Sequence, residues 1–213
     1  MSSLPLVYGE PDDMSALIAG QGEPHPLYVA LKAAHDLVVA DALDSDGLVG
    51  ADMVILIQPR ALPPEALVAL DDYVRGGGRL MVFADPVLDW PSRLGFGDPR
   101  GPLRSALVSP LFAHWGLELV DPGSDTVRLP KSGAILLHPG RFAVRSGTTG
   151  DAGCVLSEAD HVARCRPGKG QAILVADADL LAPTYLSDPV ESRDANRRFF
   201  RGLLQDLSGE RLP

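Results

Sequence analysis

Cysteine is scarce in this 213-residue sequence, limited to Cys154 and Cys165, and the five histidines (His25, His35, His114, His138, His161) are scattered. No His-x-x-x-His pair occurs, so the chain carries no metal-ligating motif of the zinc type. Basic charge is also short. Lys and Arg number 19 against 28 Asp and Glu, which leaves a formal charge of −9 and a pI of about 4.9. That balance excludes an electrostatic grip on nucleic acid or on an anionic membrane surface. Long apolar runs are missing as well. Stretches such as 53–57 and 172–176 fall far below the ~20 residues that span a bilayer. No leader is apparent, because Met1-Ser2-Ser3 runs straight into Leu4-Pro5-Leu6-Val7-Tyr8, an opening that also fits a chain trimmed of an upstream segment. Repeats, low-complexity tracts and long charge runs are lacking too.

What is present is core material. Hydrophobic residues make up 46% and charged residues 22%, with a mean hydropathy of +0.08. The expectation is one α/β domain over 1–213, with an antiparallel insertion at about 117–166. Strand and helix signals alternate in the first half, which favours a mostly parallel sheet flanked by helices. Residues 4–8 read as the first strand, 26–37 as a helix and Val38-Val39 as a short strand. Residues 53–57 form an uninterrupted apolar run, as in a strand covered on both faces. Pro63-Pro64-Glu65 opens a helix, Leu67, Leu70 and Val74 share its face, and Gly76-Gly77-Gly78 stops it before a strand at 80–84. Residues 89–104, with Trp90-Pro91-Ser92 and Gly95-Phe96-Gly97-Asp98-Pro99, read as a long surface excursion. A helix at 110–115 and short strands at 117–120, 134–137 and 142–144 follow. Gly168-Lys169-Gly170 then turns into a buried strand at 172–176, and a helix at 192–207 closes the chain.

Residues 155–158 and 161–164 read as a hairpin turning at Ala159-Asp160. That register sets Cys154 opposite Cys165, a geometry that permits a cross-strand disulfide in an oxidising compartment. Two unrelated buried thiols are the alternative.

The block Ala51-Asp52-Met53-Val54-Ile55-Leu56-Ile57-Gln58-Pro59-Arg60, with Pro63-Pro64-Glu65-Ala66-Leu67, Leu70-Asp71-Asp72-Tyr73-Val74, Gly77-Gly78-Arg79-Leu80 and Phe83-Ala84-Asp85-Pro86, resembles the gliding-motility auxiliary domain family of ABC-type transport systems. Weaker echoes continue in Trp115-Gly116-Leu117-Glu118-Leu119, Gly168-Lys169-Gly170-Gln171-Ala172, Asp177-Ala178-Asp179-Leu180-Leu181 and Asn196-Arg197-Arg198-Phe199-Phe200. The resemblance implies a relation to an intraflagellar transport domain and a flavodoxin-like, class I glutamine amidotransferase-like fold. It also implies a place on the periplasmic face of the cytoplasmic membrane and membrane ABC transporter subunits as partners. Family members are usually tethered by transmembrane helices, and this sequence has none.

Amidotransferase-like chemistry needs a cysteine on a sharp turn after a strand, with a histidine in reach. The strand ends read Gly9-Glu10, Gln58-Pro59, Asp85-Pro86 and Asp177-Ala178, with no such nucleophile. Ser92, Ser109 and Ser146 fall in loops without a Gly-x-Ser-x-Gly setting. Gly76-Gly77-Gly78 follows a helix rather than opening one, so it does not cradle phosphate. No catalytic residue, no metal and no cofactor are therefore assigned. One constellation remains outside the carboxyl ends of the strands. Glu10, Gln58, Arg60, Asp85, Asp177 and Asp179, with Trp90 beyond, could hold a polar small ligand such as a sugar or peptide. Alternatively, Arg60 pairs with Asp85 to lock adjacent loops. The expectation is a non-catalytic binding or scaffold domain whose first contact surface is 89–104. Its rivals are a hydrolase-like enzyme and a metal- or sugar-binding protein using those carboxylates.

Overall fold

Five apolar residues in a row leave neither face of a strand polar, and Met53–Ile57 forms β1 with Val54, Leu56 and Ile57 buried. The computed structural model describes residues 1–10, 22–40, 42–43, 45–95, 97–121, 123, 125–145, 151–183 and 191–209. Within these, α1 (Pro26–Ala34) and the single-turn α2 (Ser45–Leu48) precede β1. Helix α3 (Pro64–Arg75) starts with proline and Glu65 in its first turn and carries Arg75 in its last, matching the helix dipole at both ends. Gly77, at φ 122°, then takes a conformation that L side chains rarely adopt, and β2 (Arg79–Phe83) follows.

Beyond β2, residues 84–108 run without helix or strand, apart from Phe96, which lies outside the described residues. Helix α4 (Ser109–His114) leads into β3 (Leu117–Val120), β4 (Thr126–Arg128), β5 (Ile135–Leu137) and β6 (Arg141–Val144). Then come β7 (Val155–Ser157), β8 (Val162–Cys165), β9 (Gln171–Val175), a 3-10 turn (Asp179–Leu181) and α5 (Glu191–Ser208).

The main sheet has the order β1-β2-β9-β8-β7. β1, β2 and β9 are parallel and in register, whereas β8 pairs antiparallel with β9 and β7 antiparallel with β8. The sheet is therefore mixed rather than mostly parallel. A close hairpin cannot supply the long crossover that a parallel neighbour needs. Two small antiparallel ladders, β3–β6 and β4–β5, stand apart from it.

Both faces of the sheet are covered. Met81, Phe83, Ile173 and Val175 meet Phe199, Phe200, Leu203 and Leu207 of α5, and the Phe83 and Phe200 rings stack 5.7 Å apart. Leu56, Leu80, Val82 and Leu174 meet Ala66, Leu70 and Val74 of α3, with Phe112 and Phe142 edge to face.

Three local expectations are corrected. Residues 4–8 do not form a strand. Pro5 lacks an N–H, Leu6 N bonds back to Leu4 O, and only Ser2 makes a parallel bridge, to Ile57. Val38-Val39 is not a strand either, and both residues are exposed. α1 ends at Ala34 rather than Leu37, because His35 is already extended, at φ −139° and ψ 156°.

The β7–β8 hairpin turns on Glu158, Ala159 and Asp160, all at positive φ. Its register pairs Val155 with Arg164, so Cys154 faces Cys165, and the two are joined by a disulfide with Cα atoms 4.0 Å apart. The bond closes a short loop, with a sequence separation of 11. Reduction by dithiothreitol is expected to lower the unfolding free energy by about 2 kcal/mol, read as a fall in the urea midpoint. An unchanged midpoint would refute it.

Candidate functional site: a buried carboxylate cluster and a separate cavity

Because β1, β2 and β9 are in register, Ile57, Phe83 and Val175 end side by side. The residues that follow them therefore converge on one rim. Gln58, at φ 43° and fully buried, clamps the neighbouring strand end. Its Nε2 donates to Asp85 O and Leu103 O, each at 3.0 Å, while its Oε1 accepts from Asp85 N at 2.8 Å. A side chain that meets three backbone groups here replaces the ladder that ends at Phe83.

Three aspartates lie behind that clamp, all at 0% exposure. Asp85 accepts from Val87 N at 2.9 Å and from Ala178 N at 3.1 Å. Asp177 accepts from Leu180 N at 2.7 Å and Leu137 N at 2.6 Å. Asp179 takes Asp89 N at 2.6 Å through Oδ2, and its buried Oδ1 has no hydrogen-bond partner among the described residues. Burial pushes the Asp85 carboxyl up to about 6 and the Asp179 carboxyl up to about 7. Asp177 is raised well above the carboxylate range, first by burial and then by repulsion from Asp85. These carboxylates tie together four segments: the start of 84–108, β5, the end of β9 and the 3-10 turn.

Asn196 belongs to the same network and is absent from the sequence-derived set. Its Oδ1 accepts from Ile135 N at 2.7 Å, and its Nδ2 donates to Ile135 O at 3.0 Å and Leu180 O at 3.2 Å. The clue lay in spacing, since Asn196 interrupts an apolar helical stripe that continues through Phe199, Phe200 and Leu203. His161, one of the scattered histidines, is buried with its Nδ1 2.6 Å from Gly140 O, and burial lowers its pKa.

The remaining sequence candidates lie elsewhere. Trp90, only 2% exposed, packs 5.5 Å from the His25 ring in the core. Arg60 does not pair with Asp85 and instead donates to Gly101 O at 3.3 Å. Glu10 accepts from Ser92 Oγ and from Arg93 N. Both Glu10 and Arg60 line a cavity of about 840 Å³ beside β1, which none of the three buried aspartates reaches. Ser109 opens α4 rather than sitting in a loop, and Ser146 lies outside the described residues. Among the described residues, no group of three or more His, Cys, Asp or Glu side chains is arranged to hold a metal ion. No helix among them is long and apolar enough to cross a membrane.

This architecture, a mixed five-stranded sheet covered by helices with small antiparallel ladders at its side, defines the class as mixed α/β. Residues 8–122, just over half of the chain, match the family model described as an ABC-type uncharacterized transport system, and the chain belongs to that family. Among solved structures, the mmIFT52 N-terminal domain is 14% identical, with a TM-score of 0.56 over 88% of this chain and 91% of that one. At that identity the likeness shows the fold alone. The cytoplasmic protein STM1381 from Salmonella typhimurium LT2 is 14% identical over 77% of this chain and 75% of that chain, with a TM-score of 0.48. The GH42 β-galactosidase Gan42B from G. stearothermophilus is 16% identical over 74% of this chain and 22% of its own, with a TM-score of 0.42. No curated protein matches the sequence.

Proposed function

We propose that this chain is a non-catalytic auxiliary domain, binding or scaffolding by surface contact with the membrane subunits of an ABC-type transporter. The family match over 8–122 carries the reading. The strand ends support it, because Gln58, Asp85 and Asp177 spend their polar atoms on buried backbone groups, and both cysteines are spent in a disulfide. The gliding-motility relation and the flavodoxin-like, glutamine amidotransferase-like fold belong to the same proposal, as what the resemblance of the block 51–86 implies; the parallel β1–α3–β2 unit is compatible with them. Placement at the periplasmic face belongs to the same proposal, since disulfides persist in oxidising compartments.

Co-purification of the tagged chain with the ATPase and permease subunits of an ABC-type transporter from its own cell tests the reading. Both subunits are expected to be recovered after crosslinking. Recovery of neither, or hydrolase or amidotransferase turnover that Asp85→Ala removes, would overturn it. One observation favours the enzymatic reading: buried Asp179 has an oxygen without a hydrogen-bond partner among the described residues and a carboxyl raised to about 7, as an acid–base group would. A thermal-shift screen with divalent metals and sugars separates the two, because a ligand bound at that rim would raise the melting temperature.

A further inference from the structure

The cavity beside β1 lies apart from the buried carboxylates and has a different chemistry. Its walls are aliphatic, with Leu4 and Leu6 from the N-terminal turns, Leu27 and Leu31 from α1, and Ile55 and Ile57 from β1. At its rim Tyr8, Val38 and Val39 are 74%, 81% and 47% exposed, an apolar lip that a folded chain seldom leaves in water. The volume of about 840 Å³ falls in the range of small-molecule sites, where apolar walls surround a few fixed polar groups.

The polar groups on this rim are unequal. Arg100 is held by Asp98 at 2.7 Å, and Glu10 already accepts from Ser92 Oγ and Arg93 N. Among the described residues, Arg60 donates to the neutral carbonyl of Gly101 and no carboxylate pairs with it. In a chain of net charge −9, a guanidinium with no carboxylate partner among the described residues, beside an apolar cavity, is set up to receive an anion.

We propose that this cavity binds a small amphipathic anion, its aliphatic or aromatic body against the leucine and isoleucine walls and its carboxylate, sulfate or phosphate head on Arg60. The inference stands independently of any contact with a transporter.

Isothermal titration of the whole chain with decanoate, acetate and decyltrimethylammonium, each below its micelle concentration, tests it. Decanoate is expected to bind saturably at one site, acetate not at all, and the cationic chain at least about tenfold more weakly. Arg60→Gln, a change at an exposed side chain, should weaken decanoate about fivefold to tenfold and leave the cationic probe unchanged. Leu31→Trp, which fills the cavity from α1, should abolish binding of both. Absence of saturable decanoate binding, as when the chain's own residues fill the cavity, would overturn the proposal. So would equal affinity for the two chains, or decanoate binding untouched by Leu31→Trp. Should Leu31→Trp fail to fold, Arg60→Gln decides alone.

Discussion

Gly170→Ala is expected to destabilise the protein by at least about 4 kcal/mol, enough to leave little folded material at 37 °C. The cause is backbone, not side chain. A Cβ at Gly170 would overlap Val74 O and Gly78 O and sit 2.8 Å from Val74 C. These atoms belong to the last turn of α3 and the approach to β2, so no rotamer change relieves the overlap. The same approach carries two hydrogen bonds, Lys169 N to Arg75 O at 3.0 Å and Gln171 N to Gly78 O at 3.2 Å, which set β9 against β2. Moving the turn outward would break both and shift the central strand of the sheet. Gly168 tightens the constraint, since it sits at φ +58° and a Cβ there would lie 2.8 Å from Arg75 Cα. Gly202, in α5, is the matched control, with nothing within 4 Å of an added Cβ. Gly202→Ala should stabilise by about 0.5–1 kcal/mol through helix propensity. Urea midpoints of the two variants decide the matter, and equal effects at both positions would sink the argument.

The Gly168-Lys169-Gly170 turn was legible in the sequence, but its close contact with α3 was not, because Val74 lies nearly a hundred residues earlier. The same distinction holds across the molecule. Features set by near neighbours could be read directly: the apolar runs of β1, β2 and β9, the proline start of α3, and the β7–β8 register that brings Cys154 and Cys165 together. Features set by remote packing could not. Trp90 stands among prolines and glycines and looks like a surface aromatic. Its neighbour Leu88 is also buried, and Arg104 holds the carbonyls of Leu88 and Trp90 at 3.2 Å from across the excursion. The excursion is thus a surface path in its backbone but an anchor in its side chains. Asp85, Asp177 and Asp179 could be placed at the strand ends from the sequence, yet their burial depends on β5 and α5, which close over them from elsewhere in the chain.

That burial gives the second large effect. Asp179→Asn is expected to gain stability relative to the native chain as pH rises, by about 4 kcal/mol between pH 4 and 8. Asp179 has a folded pKa of about 7, well above the ordinary value of 3.8, so between those values the native state holds a proton that the unfolded chain has released. Its contribution is fully present below 3.8 and is lost as pH rises through 7. Asp85, at about 6, and Asp177, raised further by burial, act in the same direction. The histidines oppose them. Burial lowers His25 to about 4 and also lowers His161, so their contributions are present above about 6.5 and lost as pH falls. The native chain alone therefore mixes two opposing slopes below pH 6.5. The difference between native and variant does not, because both carry the same histidines. It also leaves in place the other charges that act on the cluster, Asp89 and Arg104 on Asp179 and His138 on Asp85. An asparagine keeps an acceptor for Asp89 N while removing the charge from the site of the partnerless oxygen. Urea unfolding of both proteins at half-unit steps of pH measures the difference. A gap that stays constant from pH 4 to 8 would mean that Asp179 ionises as freely in the folded chain as in the unfolded one, and that its burial has no electrostatic consequence.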